Sequence, residues 1–268
     1  MPRSLLRRGD QNASTYLKSQ PSHGDEPLSH QAWTAKVVTL YPEMFPGTLN
    51  YSVVGRALRK GIWSLEILNL RNFGVGKHKN VDDTPSGGGP GMILRPDVVD
   101  NAITSATESV DLQNANWPII NLAPQGQPLT QKVTQELSKM NGIIILCGRF
   151  EGVDQRVIEK WNMWEISLGD FILSGGEIAA QALIDSTVRN LPKVLGNSRS
   201  AKNESFSYGL LEYPQYTKPS NWKGRKVPDV LLSGNHVKVQ DWQNKKSIEL
   251  TKHRRPDLLL SSKKNRDL

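Results

Sequence analysis

The sequence is poor in cysteine, with Cys147 as its only one. A single cysteine excludes an intrachain disulfide and a cysteine-based zinc site, and it suits a reducing compartment, so we expect a cytoplasmic protein. Cys147 lies within an apolar run, and we expect it in the core. Long apolar runs are missing too. No uninterrupted apolar stretch approaches the roughly 18 residues of a membrane helix, which argues against an ordinary membrane span.

Metal-ligand and nucleotide-binding patterns are also missing. The five histidines are scattered, and no two of them have the i, i+4 spacing of helical metal ligands, so we predict no metal site. Residues 74–78 lack the hydroxyl residue that a phosphate-binding loop places after its lysine. No GxGxxG motif stands between a predicted strand and a predicted helix, which disfavours a Rossmann-type enzyme.

Acidic residues are outnumbered in one part of the chain only. Residues 218–268 contain 13 Lys and Arg against 5 Asp and Glu, a net charge of +8, whereas the remaining residues carry 21 of each. A segregated basic segment favours a polyanionic partner, because each neutralised phosphate releases condensed counterions. A solubilising basic tail is the alternative interpretation.

Apolar runs alternate with segments of helical period from residue 36 to residue 189. The predicted strands are 36–40, 62–68, 118–122, 143–147 and 164–168, and the predicted helices are 51–60, 96–108, 129–140, 154–161 and 177–189. This alternation predicts an α/β fold, with a parallel sheet that helices cover on both faces.

The remaining segments lack this alternation. Residues 1–35 are polar and without pattern, so we predict disorder, and residues 196–216 are predicted to be an interdomain linker. Residues 217–268 are predicted to form a small basic helical domain. Within it, the apolar residues Val237, Val239, Trp242 and Ile248 alternate with lysines, so one helix face is expected to pack while the other meets phosphate.

Glycines follow two of the predicted strands. Residues 143–147 precede Gly148 and Gly152, and residues 164–168 precede Gly169, Gly175 and Gly176. Ligands of open α/β sheets bind at the carboxyl ends of the strands, and glycine lets the backbone approach a ligand closely. We therefore expect a ligand site where these two glycine-bearing loops meet.

The blocks CGRFEGVDQRV and WEISLGDFILSGGE closely resemble the bacterial tRNA (guanine-N1)-methyltransferase family of the knotted SPOUT class. Five further blocks match in order: VVTLYPEMFPG, VDDTPSGGGPGM, LAPQGQPL, VLLSGNH and RRPDLL. The resemblance covers about residues 36–260. It implies a methyltransferase domain at 36–195 with a deep trefoil knot between residues 122 and 177, which a sequence pattern alone does not reveal.

The resemblance implies an activity as well. The enzyme of this family transfers a methyl group from S-adenosylmethionine to N1 of the guanosine directly 3′ of the tRNA anticodon, guanosine 37. It acts as a homodimer, with active sites built across two subunits, and it grips the anticodon arm of the tRNA. Mg²⁺ bound with the RNA is conceivable from the family, although no carboxylate cluster here requires it.

The resemblance assigns the methyl donor to three loops. The implied cofactor residues are Pro124, Gln125, Gly126, Gly148, Phe150, Glu151, Gly152, Ser167, Leu168, Gly169, Asp170, Phe171, Ile172, Leu173, Gly175 and Gly176. From periodicity alone, Phe171 is equally well a core residue. Glu151 and Asp170 are candidates for the ribose hydroxyls or the ammonium group of the donor, or they are helix-start acids.

Two residues match the catalytic positions of the family. Arg189 takes the place of an arginine that orients the donor and polarises guanine O6, although from sequence alone it is a cation in the last turn of a helix. Glu204 stands where the family usually has the aspartate that acts as general base, so here the side chain is one methylene longer. A solvated linker acid is its plainer interpretation.

The tRNA contacts involve a loop and the basic segment. Asp82 is the implied guanine-recognition residue, with Gly89 in the glycine run that follows, and an Asx-turn is the structural alternative. The expected phosphate contacts are Lys245, Lys246, Arg254 and Arg255. Two alternatives stay open: a non-catalytic RNA-binding or regulatory protein, and a SPOUT methyltransferase that acts on another RNA.

Overall fold

The computed structural model describes residues 32–110, 117–196, 204–206 and 209–259. Its contacts divide the chain into two compact units, with the division between Val194 and Leu195. No helix within the described ranges is both long enough and apolar enough to cross a bilayer.

The first unit contains a five-stranded parallel sheet. In chain order its elements are β1 (Trp33–Thr39), α1 (Ser52–Arg59), β2 (Trp63–Asn69), β3 (Asp82–Asp83), β4 (Ile93–Leu94), α2 (Pro96–Thr107), β5 (Ile119–Pro128), α3 (Gln131–Leu137), β6 (Gly142–Cys147), α4 (Gln155–Lys160), β7 (Trp164–Ser167) and α5 (Glu177–Val188). The strand order is β2-β1-β6-β5-β7, and β3 and β4 form a separate antiparallel pair. The predicted α/β fold with a helix-covered parallel sheet is confirmed.

Both faces of the sheet are buried, each beneath its own helices. Along β6, Ile143 and Ile145 pack into a core shared with α1, α3 and α5, whereas Ile144 and Leu146 pack into a core shared with α2 and α4. A strand that is buried on both faces needs a continuous apolar run, and this is why β6 was recognisable in the sequence. Cys147 ends that run and is fully buried, as predicted.

The sheet begins earlier than the sequence predicted. Residues 33–35, placed in the disordered segment from their polar surroundings, form the start of β1 and are buried. Trp33 pairs in register with Trp63, and its indole Nε1 donates a hydrogen bond to the Leu137 carbonyl at 3.1 Å. Tertiary packing of this tryptophan outweighs the local composition. The rest of the predicted disordered segment, residues 1–31, lies outside the described residues.

Strand β5 contains the first of the predicted donor loops. Its pairing with β7 shifts register, so that Leu122 and Gln127 both align with Ile166, and residues 123–126 project from the ladder. The predicted strand 118–122 is therefore the first half of a longer, bulged strand. A bulge of this kind directs side chains and backbone groups away from the sheet toward a site.

The chain then crosses the end of the sheet. Strand β7 forms one edge, yet α5, which follows it, packs against β1 and β6. Residues 168–176 make this crossing. The trefoil knot itself stays a prediction from the resemblance.

The second unit is built around a long helix. It contains β8 (Asn221–Trp222), β9 (Arg225–Lys226), α6 (Asp229–Leu232) and α7 (His236–Arg254). The Asn235 side chain caps α7 by accepting a hydrogen bond from the Lys238 amide. Described residues of the predicted linker belong to this unit, since the Leu211 amide donates to Thr251 Oγ1 and the Tyr216 ring lies 6.1 Å from that of Trp242.

The packing face of α7 differs from the predicted one. Ser247 and Thr251 are the buried residues of the helix, whereas Val237 is 73% exposed and Ile248 is also exposed. The prediction that these two apolar residues pack was therefore wrong. Thr251 is buried because its hydroxyl is satisfied twice, donating to the Ser247 carbonyl and accepting from the Leu211 amide.

Candidate functional site

A cleft opens in the first unit at the carboxyl ends of β5, β6 and β7. Its volume is about 260 Å³. Three loops line it: the β5 bulge, residues 148–152 and residues 168–176. Of the residues predicted to hold a cofactor, the cleft wall includes Pro124, Gln125, Gly148, Phe150, Glu151, Gly152, Ser167, Leu168, Gly169, Phe171, Ile172, Leu173, Gly175 and Gly176.

Two predicted cofactor residues do not line the cleft. Gly126 packs against the backbone of β7, where a Cβ atom would overlap the Glu165 carbonyl carbon. The glycine therefore allows close packing between two strands and does not face the cleft. The Asp170 side chain is exposed and does not contribute to the wall. A motif supplies the order of residues along a loop but not the direction in which each one points.

The second and third loops meet backbone to backbone. The Gly176 amide donates a hydrogen bond to the Gly148 carbonyl at 2.9 Å. A Cβ atom at Gly176 would lie 2.8 Å from Cys147 Cα, closer than side chains tolerate. Glycine is therefore required at this position for the two loops to meet.

A buried ion pair ties the same two loops together. Arg149 Nη2 lies 2.7 Å from Glu177 Oε2, and Arg149 Nη1 donates to the Ser174 carbonyl at 2.9 Å. Thr39 donates to the other Glu177 oxygen at 2.7 Å, and the Arg149 guanidinium stacks 4.3 Å from the Tyr41 ring centroid. Neither residue was among the site residues predicted from the sequence, where the signal of the pair is an arginine in one glycine loop and an acid at the end of the other.

The buried pair also affects the pKa of the neighbouring Cys147 thiol. Burial, and then the negative charge of Glu177, raise the pKa of Cys147 well above its ordinary value. The thiol is therefore held protonated at neutral pH, which makes it a poor nucleophile.

Asn121 places an unused acceptor beside the cleft. It is 2% exposed, and its Nδ2 donates to Glu165 Oε1 at 3.2 Å, which orients the amide. Gln125 Nε2 donates to the same carboxylate oxygen. Asn121 Oδ1 has no hydrogen-bond partner in the protein and lies 4.0 Å from the position of a Cβ atom at Gly148. A bound N–H donor would satisfy it.

The mouth of the cleft is apolar and exposed. Phe171 is 54% exposed, and its ring lies against Gly169, so the alternative that Phe171 belongs to the core is wrong. Phe150 and Ile172 are exposed on the same rim. An exposed apolar rim around a glycine-lined cleft is typical of a site that receives a flat, partly apolar ligand.

The predicted guanine-recognition loop lies beside this cleft. A Cβ atom at Gly91 would overlap the Glu151 side chain, and the Glu151 amide donates to the Met92 carbonyl at 2.9 Å. Asp82 is half-buried at the start of this loop, and Gly89 is exposed with a φ of +118°. The neighbouring Asp83 accepts a hydrogen bond from the amide of the next residue, Thr84, at 2.8 Å.

The two predicted catalytic residues lie in different units. Arg189 is the residue directly after α5, and its amide donates to the Asp185 carbonyl at 3.1 Å. Glu204 is half-buried in the second unit. Both residues take part in interactions within the protein.

The four predicted phosphate contacts are of two kinds. Lys246 and Arg255 form ion pairs with Glu249 at 2.6 Å and Asp257 at 2.7 Å. The hydrogen bond from Lys246 lowers the pKa of Glu249. Lys245 and Arg254 are exposed. Seven-residue spacing places Lys238, Lys245 and Lys252 on one face of α7, which gives this helix a cationic stripe.

Within the part of the chain that the structure describes, no three His, Cys, Asp or Glu side chains are grouped closely enough to hold a metal ion.

Comparison with known proteins extends over both units. A sequence model of the family described as tRNA (guanine-1)-methyltransferase TrmD matches residues 34–261. The tRNA (guanine-N(1)-)-methyltransferase of Ruegeria pomeroyi is 55% identical over 232 residues, 87% of this chain and 94% of that protein. The proteins of the same name from Cereibacter sphaeroides and Rhizobium etli are 54% and 49% identical. They cover 85% and 87% of this chain and 91% and 99% of their own lengths.

Proposed function

Because the chain belongs to the tRNA (guanine-1)-methyltransferase family, we propose that it transfers a methyl group from S-adenosylmethionine to N1 of the tRNA guanosine directly 3′ of the anticodon, guanosine 37. The match over residues 34–261 carries this proposal, because it includes both the cleft and the basic unit. The non-catalytic alternative and the alternative of another RNA substrate gain no support from the relatives, which are named as tRNA (guanine-N(1)-)-methyltransferases.

The cleft in the first unit fits the proposed methyl donor. Its volume of about 260 Å³ is slightly below the range of about 300–1,000 Å³ for small-molecule sites, and its mouth is open. Glycine backbone and the apolar rim suit a planar adenine, and the unpartnered Asn121 Oδ1 suits an N–H donor of the ligand. Glu151 on the wall suits a ribose hydroxyl or an ammonium group. S-adenosylmethionine supplies a methyl group that its positively charged sulfur makes electrophilic.

The buried Arg149–Glu177 pair serves this site by holding its walls. It joins residues 148–152 to residues 168–176, with Glu177 buried and Arg149 partly exposed on the cleft wall. Loops that are fixed before binding lose less entropy when a ligand arrives. We therefore assign Arg149 and Glu177 a positioning role.

Three polar residues are assigned to the guanine. Asp82 accepts a hydrogen bond from the N2 amino group at the guanine edge, which adenine does not present, and the N1 proton is left to the general base. Glu204 accepts the N1 proton, so that the nitrogen lone pair is available for the methyl group, and Arg189 stabilises the negative charge that develops toward O6. A glutamate in place of the aspartate usual in this family keeps the carboxylate that the proton transfer requires.

The second unit is assigned to the anticodon arm. Lys245 and Arg254 are exposed and available to phosphates, and Lys246 and Arg255 contact phosphate by exchanging their carboxylate partners. The proposal includes the trefoil knot and a homodimer. Tyr51 and Ile178 are large exposed apolar residues of the first unit, and they support the homodimer because a second copy would cover them.

Nucleoside mapping tests the proposed function. Unmodified tRNA with guanosine at positions 36 and 37 is incubated with the protein and S-adenosylmethionine, then digested and analysed by mass spectrometry. We expect one N1-methylguanosine, at position 37, and none in a matched tRNA with adenosine at that position. Methylation at another base, or none in either tRNA, would contradict the proposal.

The role of Glu204 has its own test. Glu204→Gln removes the proton acceptor but keeps the size of the side chain, so we expect turnover to fall by about 10²-fold to 10⁴-fold. The affinity for S-adenosylmethionine, measured by isothermal titration, should stay nearly unchanged. Glu204→Asp is the matched control and should keep most of the activity. Equal turnover of Glu204→Gln and the unaltered protein would remove Glu204 from this role.

A further inference from the structure

The β8–β9 hairpin exposes a tryptophan among cations. Trp222 is 58% exposed, and Lys223, Arg225 and Lys226 around it are exposed as well. Residues 213–228 contain four Lys and Arg and no Asp or Glu. None of these hairpin residues was among the candidate sites from sequence, where the hairpin counted only toward the net charge.

The backbone of the hairpin is well defined. Lys223 and Gly224 form its two-residue tip, with φ values of +50° and +82°. Positive φ at both positions is the pattern of a type I′ turn, where asparagine and glycine are favoured. The Gly224 amide donates to Asn221 Oδ1 at 3.0 Å, which closes the turn. A lysine at the apex therefore accepts an unfavourable backbone conformation and presents its charge to solvent.

The register of the hairpin groups the side chains. Trp222 pairs with Arg225 across the strands, so both point to the same face, whereas Asn221 and Lys226 share the other face. Lys223 Nζ lies 5.5 Å from the centroid of the Trp222 ring. The indole thus has a guanidinium beside it on one face of the hairpin and an ammonium near its ring.

This arrangement matches the chemistry of a single-stranded nucleic acid. An aromatic ring stacks on an unpaired base of any type, and neighbouring cations neutralise the phosphates on either side of it. Trp33 and Trp63 of the first unit, in contrast to Trp222, are buried in the core. An exposed indole in a cationic, acid-free segment favours an anionic partner with a flat apolar surface.

We propose that Trp222 stacks on an unpaired base of the tRNA, while Lys223, Arg225 and Lys226 contact the phosphates that flank it. The inference rests on the proposed function only for the identity of the RNA. It adds a recognition element on the second unit that is distinct from the cationic residues of α7.

Binding of labelled tRNA at a series of KCl concentrations tests the proposal. We expect Trp222→Ala to bind about 10-fold to 100-fold more weakly, because stacking is lost, and Trp222→Phe to stay within about 3-fold of the unaltered protein. Lys223→Ala and Arg225→Ala should each reduce the slope of log K against log salt by about 1. Lys132→Ala is the matched control, as its exposed ammonium lies on α3 of the first unit, and it should change neither quantity.

A fluorescent base analogue locates the stacked base. A stem-loop RNA carries 2-aminopurine at one loop position at a time, and at one position the protein should quench its fluorescence in a manner that Trp222→Ala abolishes. Unaltered affinity and quenching in Trp222→Ala would overturn the proposal. Equal losses in Trp222→Ala and Trp222→Phe, with a lowered melting temperature or changed oligomeric state, would also overturn it by showing that the ring packs on protein.

The two proposals fail separately. If the unaltered protein methylates guanosine N1 but Trp222→Ala binds tRNA normally, only the hairpin inference is wrong. If RNA binding depends on Trp222 but no N1-methylguanosine forms, only the proposed function is wrong.

Discussion

The two units of this protein use charge in opposite ways. In the first, Arg149 and Glu177 are largely withdrawn from solvent and form an ion pair at 2.7 Å, which joins two loops of the cleft. The buried Lys36 behaves similarly, donating to the Ala106 carbonyl at 2.9 Å and lying 3.3 Å from Glu66. In the second unit the cations of the hairpin and of the lysine stripe on α7 are exposed to solvent. Charge therefore serves rigidity in one unit and attraction of a polyanion in the other.

This difference has a measurable consequence. Buried pairs are weakly screened by salt, whereas exposed cations that bind phosphate act through counterion release and depend steeply on salt. Substitutions in the buried Arg149–Glu177 pair should therefore alter stability and donor affinity at any ionic strength. Substitutions in the second unit should alter tRNA affinity in a salt-dependent manner and leave donor affinity unchanged.

Glu177→Ala should break the first unit most severely. It leaves the Arg149 guanidinium in a nearly buried position without its carboxylate, and breaking such a pair costs about 3–5 kcal/mol. We expect a large fall in melting temperature and loss of measurable S-adenosylmethionine binding by titration calorimetry. Glu136→Ala removes half of a surface pair with Lys132 and should cost less than about 1 kcal/mol. Equal melting temperatures for the two variants would contradict the positioning role.

Two glycine substitutions distinguish an effect on stability from an effect on donor binding in the cleft. At Gly176 a new Cβ atom meets Cys147 Cα at 2.8 Å, so Gly176→Ala should cost about 1–3 kcal/mol of stability and weaken donor binding with it. At Gly148 the nearest atom is 3.6 Å away, so Gly148→Ala should fold normally. Its methyl group should still weaken donor binding, because Gly148 lines the cleft. Undiminished donor affinity in Gly148→Ala would argue against this cleft.

Lys245→Ala should have the smallest effect of these substitutions, and it tests the role of exposed charge in the second unit. Its ammonium is exposed on the cationic stripe of α7, so we expect tRNA affinity to fall a few-fold and the salt slope to fall by about 1. Melting temperature and donor affinity should stay as in the unaltered protein. A lower affinity with an unchanged salt slope would mean that Lys245 does not contact phosphate.

The fold was largely predictable because its signals are local. The continuous apolar run of β6 and the helical periods between strands each report the burial of one element, and the sheet follows from their alternation. The same reasoning failed where burial depends on distant partners. Trp33 and Trp222 are the same residue type in polar surroundings, yet one pairs with Trp63 in the sheet and the other faces solvent.

The site was predictable in its loops but not in its contacts. Glycines after two strands pointed to the cleft, and the resemblance supplied the residues. Only the coordinates show that Arg149 reaches Glu177, 28 positions along the chain, or that Asn121 leaves an acceptor unused. Gly126 and Asp170 illustrate the converse, because a residue inside a loop that lines the cleft need not itself face the cleft.

A crystal structure of the protein grown with S-adenosylmethionine tests the central claim most directly. The account predicts electron density for the cofactor between residues 148–152 and residues 168–176, with a cofactor N–H group within hydrogen-bond distance of Asn121 Oδ1. Density for the intact cofactor at any other place, with this cleft filled only by water, would contradict it.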